Sequence, residues 1–526
     1  MLRVSLVSLL ISAGAVWAEV PVIPRPAKVE EKAGTLKLGA GARIRLDAFS
    51  GSEVALQDLK AAYGANLAAA GQGEAAQIVV AREKGAPQGE GYRLKVTERG
   101  VLISATSDAG LFYGVETLAQ LLAGEGHDLG LVSIEDTPRF EWRGYMLDES
   151  RHFSGEAAVK RLLDGMAHFK LNRLHWHLTD SAGWRIEIKK YPKLTAIGGR
   201  GNETDRSDTA PVQFYTQDEI KRIVAYAKAR QIVIIPEIDM PGHADAAVLA
   251  YPETDGGGDP NGKWKHFTFN PAKAETLSFL DDVLKEVAAL FPDGKVIHFG
   301  GDEVNVGWKK WPELPEVQEL MKRENLKDNP AVEAWFSRRM AKSINALGFK
   351  TGGWDEIVGR DLPADKTLVF WWRHDKPGAL HQAITAGYPV VLCPRRPLYF
   401  DFIQDGSHKT GRVWGGFNPL SDVYDFPASL KLSAKDEQQV KGLQACLWTE
   451  TTLTQARRDF MTWPRLVAVA ESGWTPAERK DFPSFEGRLK PQIGWLKSHG
   501  LQTWDPFEKT PEISDKGAKV EYPDKP

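Results

Sequence analysis

The spacing of apolar residues divides the chain into two parts. In residues 19–137, short apolar runs predict strands at Ala76–Ala81, Tyr92–Thr97 and Val101–Ala105. Apolar residues three and four positions apart predict helices over Val54–Ala69 and Asp108–Leu122. The first part is therefore predicted to be a small α+β domain, and it contains no catalytic motif.

After Pro138, eight short apolar runs follow one another, and most are separated by helical stretches. The predicted strands are Arg143–Leu147, Arg173–Leu178, Ile232–Pro236, Lys295–Gly300, Phe349–Gly353, Thr367–Trp372, Pro389–Cys393 and Gly442–Trp448. Residues that favour helix starts precede three of the helices, namely Thr216 with Glu219, Asn270-Pro271 and Asn329-Pro330. This alternation predicts an α/β fold in which residues 138–500 form a (β/α)8 TIM barrel.

The two ends of the chain differ from both parts. One basic residue, Arg3, is followed by an apolar run and by Ala15-Val16-Trp17-Ala18, so residues 1–18 are predicted to be a signal peptide cleaved after Ala18. No other run approaches the ~18 apolar residues of a membrane span. The protein is expected to be exported, to the periplasm or the medium. Residues 501–526 are predicted to be a C-terminal tail, poorly ordered from about Lys509 because proline and charge are frequent there.

Composition excludes several classes of protein. Hydrophobic residues make up 42% and charged residues 26% of the chain, which is typical of a soluble globular protein and not of a disordered or coiled-coil chain. The net charge of −3 gives no bulk attraction for nucleic acid. Only two cysteines occur, Cys393 and Cys446, and both are predicted to be buried thiols and not a disulfide framework or nucleophiles.

The most informative segment is His298-Phe299-Gly300-Gly301-Asp302-Glu303, at the end of the fourth predicted strand. Neighbouring residues on a regular strand point to opposite faces, so Asp302 and Glu303 can share a site only if the chain turns at the two glycines. Two carboxylates in one cleft repel each other, and one of them then holds a proton near neutral pH. A neutral acid beside an ionised carboxylate suits cleavage of a glycosidic bond.

The other strand ends carry aromatic and carboxylate residues. Trp rings stack on the apolar faces of sugars, whereas carboxylates and Arg hydrogen-bond to their hydroxyls. The chain shows no glycine-rich phosphate loop at these positions. The expected ligand is therefore a neutral oligosaccharide or glycoconjugate.

Several of these segments together resemble the motifs of family 20 glycoside hydrolases, the β-N-acetylhexosaminidases. They are Arg151-His152-Phe153, His175 to Asp180, Pro241-Gly242-His243, His298 to Glu303, Gly353 to Glu356 and Trp448-Thr449-Glu450. The resemblance extends from Glu19 to about Gly500 and includes the small leading domain, which that family also places before its barrel.

The resemblance implies an exo-acting enzyme that removes terminal GlcNAc or GalNAc with retention of configuration. In this mechanism the 2-acetamido oxygen of the substrate attacks its own anomeric carbon and forms an oxazoline-type intermediate. By similarity, Asp302 holds the acetamido N–H, and Glu303 protonates the leaving oxygen and then activates water. No cofactor and no metal are implied.

The resemblance also implies a set of substrate-binding residues. Tyr399 contacts the acetamido oxygen. The residues that enclose the sugar are Trp354, Trp372 and Trp448, with Trp372 preferred to the adjacent Trp371. The residues that bind ring hydroxyls are Arg151, Asp401 and Glu450, and those that support the acid are Asp180 and His243. Trp414 and Phe417, in the long connection after the seventh strand, are candidates for stacking on the leaving group.

Some alternatives stay open at this point. His175 and His177 could ligate a metal, although a supporting role is preferred. Asp148 and Glu149 are expected to orient Arg151. The chain could instead be a glycosidase with an enzyme nucleophile, or a catalytically silent sugar-binding barrel. The preference between GlcNAc and GalNAc, the natural glycan, release of monosaccharide or disaccharide, and the oligomeric state do not follow from the sequence.

Overall fold

The structure is a computed structural model that describes residues 20–515, apart from residues 65, 72, 126, 260 and 514. The predicted signal peptide, residues 1–18, lies outside the described residues, as does the chain after residue 515. No helix in the described part is long and apolar enough to cross a membrane.

The leading domain is a mixed seven-stranded sheet with two helices, which confirms the predicted α+β class, although only three of the seven strands were predicted. The strand order is β1-β7-β5-β6-β4-β2-β3. The strands are β1 Lys28–Lys37, β2 Arg43–Leu46, β3 Ala68–Ala69, β4 Ile78–Arg82, β5 Tyr92–Thr97, β6 Gly100–Ala105 and β7 Asp128–Asp136, and the helices are α1 Ser52–Tyr63 and α2 Asp108–Glu125. Helix α1 is shorter than predicted because Gly64, with φ of 108°, ends it.

Eight parallel strands close into a barrel, which confirms the predicted fold class. We refer to them in chain order as the first to eighth barrel strands. Their bounds are Trp142–Asp148, Arg173–His177, Val233–Glu237, Val296–His298, Lys350–Trp354, Thr367–Trp371, Val390–Leu392 and Val440–Leu447. The first strand pairs with both the eighth and the second, so all eight predicted strands belong to one ring.

Helices cover most of the barrel connections. They are Glu156–His168, Lys193–Ala196, Gln217–Lys228, Asp245–Ala250, Ala274–Leu290, Pro315–Arg323, Asn329–Ala346, Pro377–Thr385, Arg395–Leu398, Leu420–Asp425, Ala434–Glu437, Gln455–Thr462, Arg465–Trp474 and Phe482–Ser498. Between the fifth and sixth strands the chain forms only the short 3₁₀ turns Asp355–Ile357 and Ala364–Lys366. That connection therefore departs from the regular βα alternation.

The helix starts are only partly as predicted. Thr216 and Glu219 form the predicted capping box. Asn270 instead accepts hydrogen bonds from the backbone N–H groups of Ala272 and Lys273, and the helix begins one turn later at Ala274. Asp328, not Asn329, caps the helix Asn329–Ala346 by accepting from the N–H of Ala331 at 2.9 Å.

The leading domain packs against the amino end of the barrel. Nε1 of Trp474 donates to Oδ1 of Asp136 at 2.9 Å. Arg143, which is fully buried at the start of the first barrel strand, pairs with Glu90 at 2.8 Å. The carboxyl end of the barrel, where the candidate residues lie, is left open.

The described part of the C-terminal tail, residues 501–513 and 515, lies against the barrel. Most of the stretch from Lys509 that is predicted to be poorly ordered lies outside the described residues, so that prediction stays a prediction. Leu501 and Trp504 are buried. Glu512 accepts hydrogen bonds from the backbone of Lys409 and Thr410 at 2.8 and 2.9 Å, and Asp515 accepts from the N–H of Leu453 at 2.6 Å. These carboxylates hold the tail because they accept hydrogen bonds from loop N–H groups that would otherwise lack a partner among the described residues. The composition of the tail does not reveal these contacts.

Candidate active site

A cavity of about 420 Å³ lies at the carboxyl end of the barrel. Ten of the eleven residues predicted from the sequence line it: Arg151, Asp180, His243, Asp302, Glu303, Trp354, Trp372, Tyr399, Trp448 and Glu450. Asp401 does not, because it is fully buried behind Arg412. The strand ends therefore converge on one pocket, as expected for a barrel of this kind.

The turn after the fourth barrel strand brings both carboxylates into the pocket. Gly300 and Gly301 have φ of 70° and 85°, a region that side chains rarely adopt. A Cβ on Gly300 would lie 1.8 Å from Oδ1 of Asp239. Glu303 also has a positive φ, of 50°. The predicted glycine turn is present, and its geometry permits no larger residue at Gly300.

His243 contacts both members of the carboxylate pair. Its Nε2 lies 3.5 Å from Oδ2 of Asp302 and 3.6 Å from Oε2 of Glu303. Burial alone would lower the pKa of His243, but the charges of Asp180, Asp302 and Asp239 outweigh burial and raise that pKa well above its usual value. The raised pKa favours the protonated ring, whose positive charge would lie beside both carboxylates.

Glu303 carries the properties of a proton donor. The surrounding protein desolvates its carboxyl group and raises its pKa, Asp302 adds to this rise, and His243 opposes it. Its side chain is 50% exposed, whereas that of Asp302 is 11% exposed, so Glu303 lies nearer the mouth of the pocket. Oδ1 of Asp302 is buried with no hydrogen-bond partner among the described residues. Glu303 thus offers a proton donor near the mouth, and Asp302 offers a hydrogen-bond acceptor towards the interior.

Asp180 joins the basic residues of the pocket. Oδ2 of Asp180 lies 2.7 Å from Nη2 of Arg151, and Oδ1 accepts from Nδ1 of His243 at 3.1 Å. Burial would raise the pKa of Asp180, but Arg151 and His243 hold it well below its usual value. Arg151 also lies 3.4 Å from Asp148, in agreement with the expected orienting role of that residue. Glu149 instead accepts from Tyr215 at 2.9 Å and does not pair with Arg151.

A buried carboxylate, Glu237, anchors the floor of the pocket. His175 and His177 both contact its Oε2, at 2.9 and 2.6 Å. Its Oε1 accepts from Nε1 of Trp354 at 2.9 Å and lies 3.0 Å from Nδ1 of His298. His175, Glu237 and His298 lie close enough to hold a metal ion. Because the carboxylate already binds these side chains and fixes Trp354, the contacts favour a supporting role.

Aromatic side chains form the walls. The rings of Trp354 and Trp448 have centroids 5.8 Å apart, and both residues are buried. Trp372 stacks with Tyr399 at 6.4 Å and donates from Nε1 to Glu356 at 2.9 Å. Trp371 points away, into the packing between strand and helices. Trp414 lines the pocket, whereas Phe417 does not.

Sequence reasoning missed Arg412, which joins two of the predicted residues. Its Nε lies 2.8 Å from Oδ2 of Asp401, and its Nη2 donates to Oε1 of Glu450 at 2.7 Å. Burial raises the pKa of Asp401 to about 7, although Arg412 opposes the rise. Oε2 of Glu450 is buried without a partner among the described residues and remains available to a ligand. No motif marks Arg412, because it lies inside a long loop.

The two cysteines are buried, as the sequence analysis expects, and they lie in one cluster with Tyr399 in the barrel interior. Burial raises the pKa of the Cys393 thiol well above its usual value. A neutral, buried thiol is a poor nucleophile.

Comparisons with known proteins identify the family of the chain. The model of "Glycosyl hydrolase family 20, catalytic domain" matches residues 140–477, and "Glycosyl hydrolase family 20, domain 2" matches residues 19–137. The β-hexosaminidase of Porphyromonas gingivalis is 38% identical over 438 residues, which cover 80% of this chain and 55% of that protein. The β-hexosaminidase of Vibrio furnissii is 36% identical over 477 residues, which cover 87% of this chain and 77% of that protein.

A solved structure extends the agreement to the fold. The exo-β-N-acetylglucosaminidase of Vibrio harveyi, solved in complex with N-acetylglucosamine, superposes with a TM-score of 0.84 at 32% identity and covers 93% of this chain and 79% of that one. The family identified from the sequence motifs is therefore confirmed. The chain belongs to glycosyl hydrolase family 20 and is a glycoside hydrolase.

Proposed function

We propose that the protein is an exo-acting β-N-acetylhexosaminidase that releases non-reducing terminal GlcNAc or GalNAc by a retaining, substrate-assisted mechanism. The observation that carries the proposal is the glycine turn, which points the adjacent carboxylates Asp302 and Glu303 into one aromatic pocket. Because both come from one turn, they are poorly placed to flank a bond as acid and enzyme nucleophile at ~5–5.5 Å. A nucleophile supplied by the substrate fits this arrangement.

Asp302 is assigned to the acetamido group. Its unpartnered, buried Oδ1 can accept the acetamido N–H and so increase the negative charge on the attacking carbonyl oxygen. Tyr399, Trp354 and Trp448 enclose the volume beside it. A small amide with an apolar methyl group fits such a pocket better than a hydroxyl does.

Glu303 is assigned to the leaving oxygen. Its raised pKa keeps the carboxyl group protonated to higher pH, so that it donates a proton as the glycosidic bond breaks. The resulting carboxylate then takes a proton from the water that opens the cyclic intermediate. Cationic His243, within 3.6 Å, stabilises the carboxylate in that second step.

Arg151 and Glu450 are assigned to the ring hydroxyls, with Arg412 fixing Glu450. The pocket is closed at its inner end by buried residues such as Trp354 and Trp448. A sugar seated there has its linked neighbour towards the mouth. This arrangement supports removal of terminal units.

The decisive experiment compares aryl β-N-acetylglucosaminide with aryl β-glucoside, which differ only at the 2-acetamido group. We expect hydrolysis of the first, and a kcat/KM for the second that is lower by about 1,000-fold or more, because an oriented intramolecular nucleophile is lost. Comparable rates on both substrates would require an enzyme nucleophile. Hydrolysis of neither by folded protein would indicate a silent binding barrel.

We further propose that the protein is exported and that the signal peptide is cleaved after Ala18. The support is the sequence pattern of residues 1–18 alone. N-terminal sequencing of protein from the culture medium or the periplasm tests this directly. A mature protein that begins at Glu19 is expected, and an intact Met1 in the cytoplasm would refute the proposal.

A further inference from the structure

The mouth of the pocket differs in charge from its interior. In the interior, Asp180 pairs with Arg151 and Glu450 pairs with Arg412, so acidic and basic groups are matched there. Two cations, Lys263 and Arg395, line the cavity. Two more contact its walls from behind, since Arg206 lies against the lining residue Trp264 and Arg396 donates to the carbonyl of Gly415, next to the lining residue Trp414. We call these four cations the cationic rim. Their arrangement suggests a second recognition site beside the catalytic one.

On one side of the mouth, two of these cations lie against the ring of Trp264. The guanidinium carbon of Arg206 lies 3.9 Å and Nζ of Lys263 lies 4.7 Å from the ring centroid. Both cations also contact a single carboxylate, Glu203, which lines the pocket. Two positive charges therefore share one negative charge at this wall.

The other two cations lie beside Trp372 and Trp414. Arg395 lies 5.1 Å from the ring centroid of Trp372 and pairs with Asp375 at 2.8 Å. Arg395 also has a buried Nε with no hydrogen-bond partner among the described residues. Arg396 donates to the backbone carbonyl of Gly415, next to Trp414, and no carboxylate among the described residues pairs with it. This wall also has an excess of positive charge.

The two walls face each other across the mouth. Trp264 and Glu203 follow the third and second barrel strands, whereas Trp372 and Arg395 follow the sixth and seventh, which lie opposite in the closed ring. Four cations meet two carboxylates, so the mouth carries surplus positive charge beside aromatic surfaces. A guanidinium next to an aromatic plane suits a sugar ring that bears a carboxylate or sulfate group.

We propose that the cationic rim is a binding site for an anionic leaving group, so that the enzyme prefers terminal N-acetylhexosamine linked to an acidic or sulfated sugar. This rests on the proposed function, which places the leaving group at the mouth. Glu303, the proton donor, is the more exposed of the two carboxylates and faces that side.

The test compares 4-carboxyphenyl with 4-carbamoylphenyl β-N-acetylglucosaminide, which have nearly the same shape and differ by one charge. The readout is the ratio of their kcat/KM values in several variants, because intrinsic differences between the two phenols then cancel. We expect the ratio to fall by roughly fivefold in a Lys263→Gln/Arg395→Gln variant, as for two partly exposed ion pairs. The matched control is Lys228→Gln, an exposed lysine that also forms a surface ion pair, and it should keep the wild-type ratio.

Ionic strength provides an independent measurement on the unmodified enzyme. Raising salt from about 0.02 M to about 0.5 M should reduce the preference for the carboxylate substrate while the neutral substrate changes little. Equal ratios in wild type and double variant, with no salt effect, would overturn the proposal. Hydrolysis of neither substrate would refute the proposed function instead, so the two failures are distinguishable.

Two disaccharide pairs then identify the anion. In one pair the N-acetylglucosamine is linked to a uronic acid or to its neutral parent sugar, and in the other it is linked to a sulfated sugar or to the same sugar without sulfate. Faster hydrolysis of either anionic member supports the site and shows whether it binds a carboxylate or a sulfate group. No preference in either pair contradicts it.

Discussion

At the scale of single residues, Glu303 is expected to limit the rate when the leaving group is poor. Replacing it with glutamine removes the proton donor but keeps the shape of the side chain. We compare kcat/KM, which reports the steps up to departure of the leaving group and not the later attack of water. We expect kcat/KM on a disaccharide to fall by roughly 100- to 10,000-fold. An aryl substrate whose phenol leaves without protonation should lose far less. Equal losses on both substrates would show that Glu303 does not act as the acid.

The pH dependence of kcat/KM is a second test of the role of Glu303. Desolvation raises the pKa of Glu303, so the acid stays protonated to higher pH, and kcat/KM should decline as pH rises through that pKa. The decline should disappear in Glu303→Gln, because glutamine does not titrate. If the variant kept the decline, another group, such as His243, would be responsible for it.

Arg412 is expected to matter through the carboxylates that it holds. Leucine at this position would leave Asp401 buried without its cation and would free Glu450 from its 2.7 Å contact. We expect an increase in KM of about tenfold and a loss of about 3 kcal/mol in the free energy of unfolding. Arg412→Lys, which keeps the charge but cannot contact both carboxylates with one planar group, should recover stability more than KM. Unchanged KM in both variants would contradict this role.

At the scale of elements, the turn after the fourth barrel strand should tolerate no side chain at Gly300. Gly300→Ala brings a Cβ to 1.8 Å from Oδ1 of Asp239 and also strains a φ of 70°. The turn must then shift, and with it Asp302 and Glu303, so we expect activity to fall by at least about 100-fold. Activity assays combined with circular dichroism separate this effect from unfolding.

Gly387→Ala is the matched control for that substitution. Gly387 has a similar φ of 79°, but a Cβ there meets no atom within 4 Å. It should cost about 1 kcal/mol of stability from backbone strain and leave activity unchanged. If Gly300→Ala behaved in the same way, close packing against Asp239 would not be what fixes the turn.

The strands and loops also show which parts of the fold and of the site the sequence patterns can predict. The eight barrel strands were predictable because they are short, largely buried apolar runs, and the ten pocket residues lie at or after strand ends. The family resemblance implies that Asp401 binds the substrate, but the guanidinium of Arg412, from a later part of the same loop, covers it. Arg412 and the cationic rim lie in long connections, where no periodicity fixes the direction of a side chain.

At the scale of the whole molecule, the junction between the leading domain and the barrel encloses a second cavity of about 380 Å³. Asp58 of α1 and Glu116 of α2 meet Asp164 and His168 of the first barrel helix there. Nδ1 of His168 lies 3.4 Å from Oε2 of Glu116. The apolar patterns predicted both domains. The contact between the two domains at this cavity, however, is made by polar residues, which those patterns do not identify.

Burial and mutual repulsion raise the pKa of Asp58 to about 8, and burial raises that of Glu116 to about 7. The folded state therefore binds more protons than the unfolded chain, whose carboxyl groups titrate near pH 4. Stability at the junction is fully present below about pH 4 and declines as pH rises towards about 8. Other groups titrate as well, so the contribution of this pair must be isolated with a variant.

Asp58→Asn isolates this contribution, because it keeps the shape and hydrogen-bonding capacity of the side chain but removes one ionisable group. We expect the wild-type free energy of unfolding to drop by on the order of 1–2 kcal/mol more than that of the variant between pH 5 and about pH 8. Thermal unfolding followed at several pH values measures the difference. Parallel pH dependences in the two proteins would show that folding does not raise the pKa of Asp58, and that the junction is held by its other contacts, such as Trp474 with Asp136.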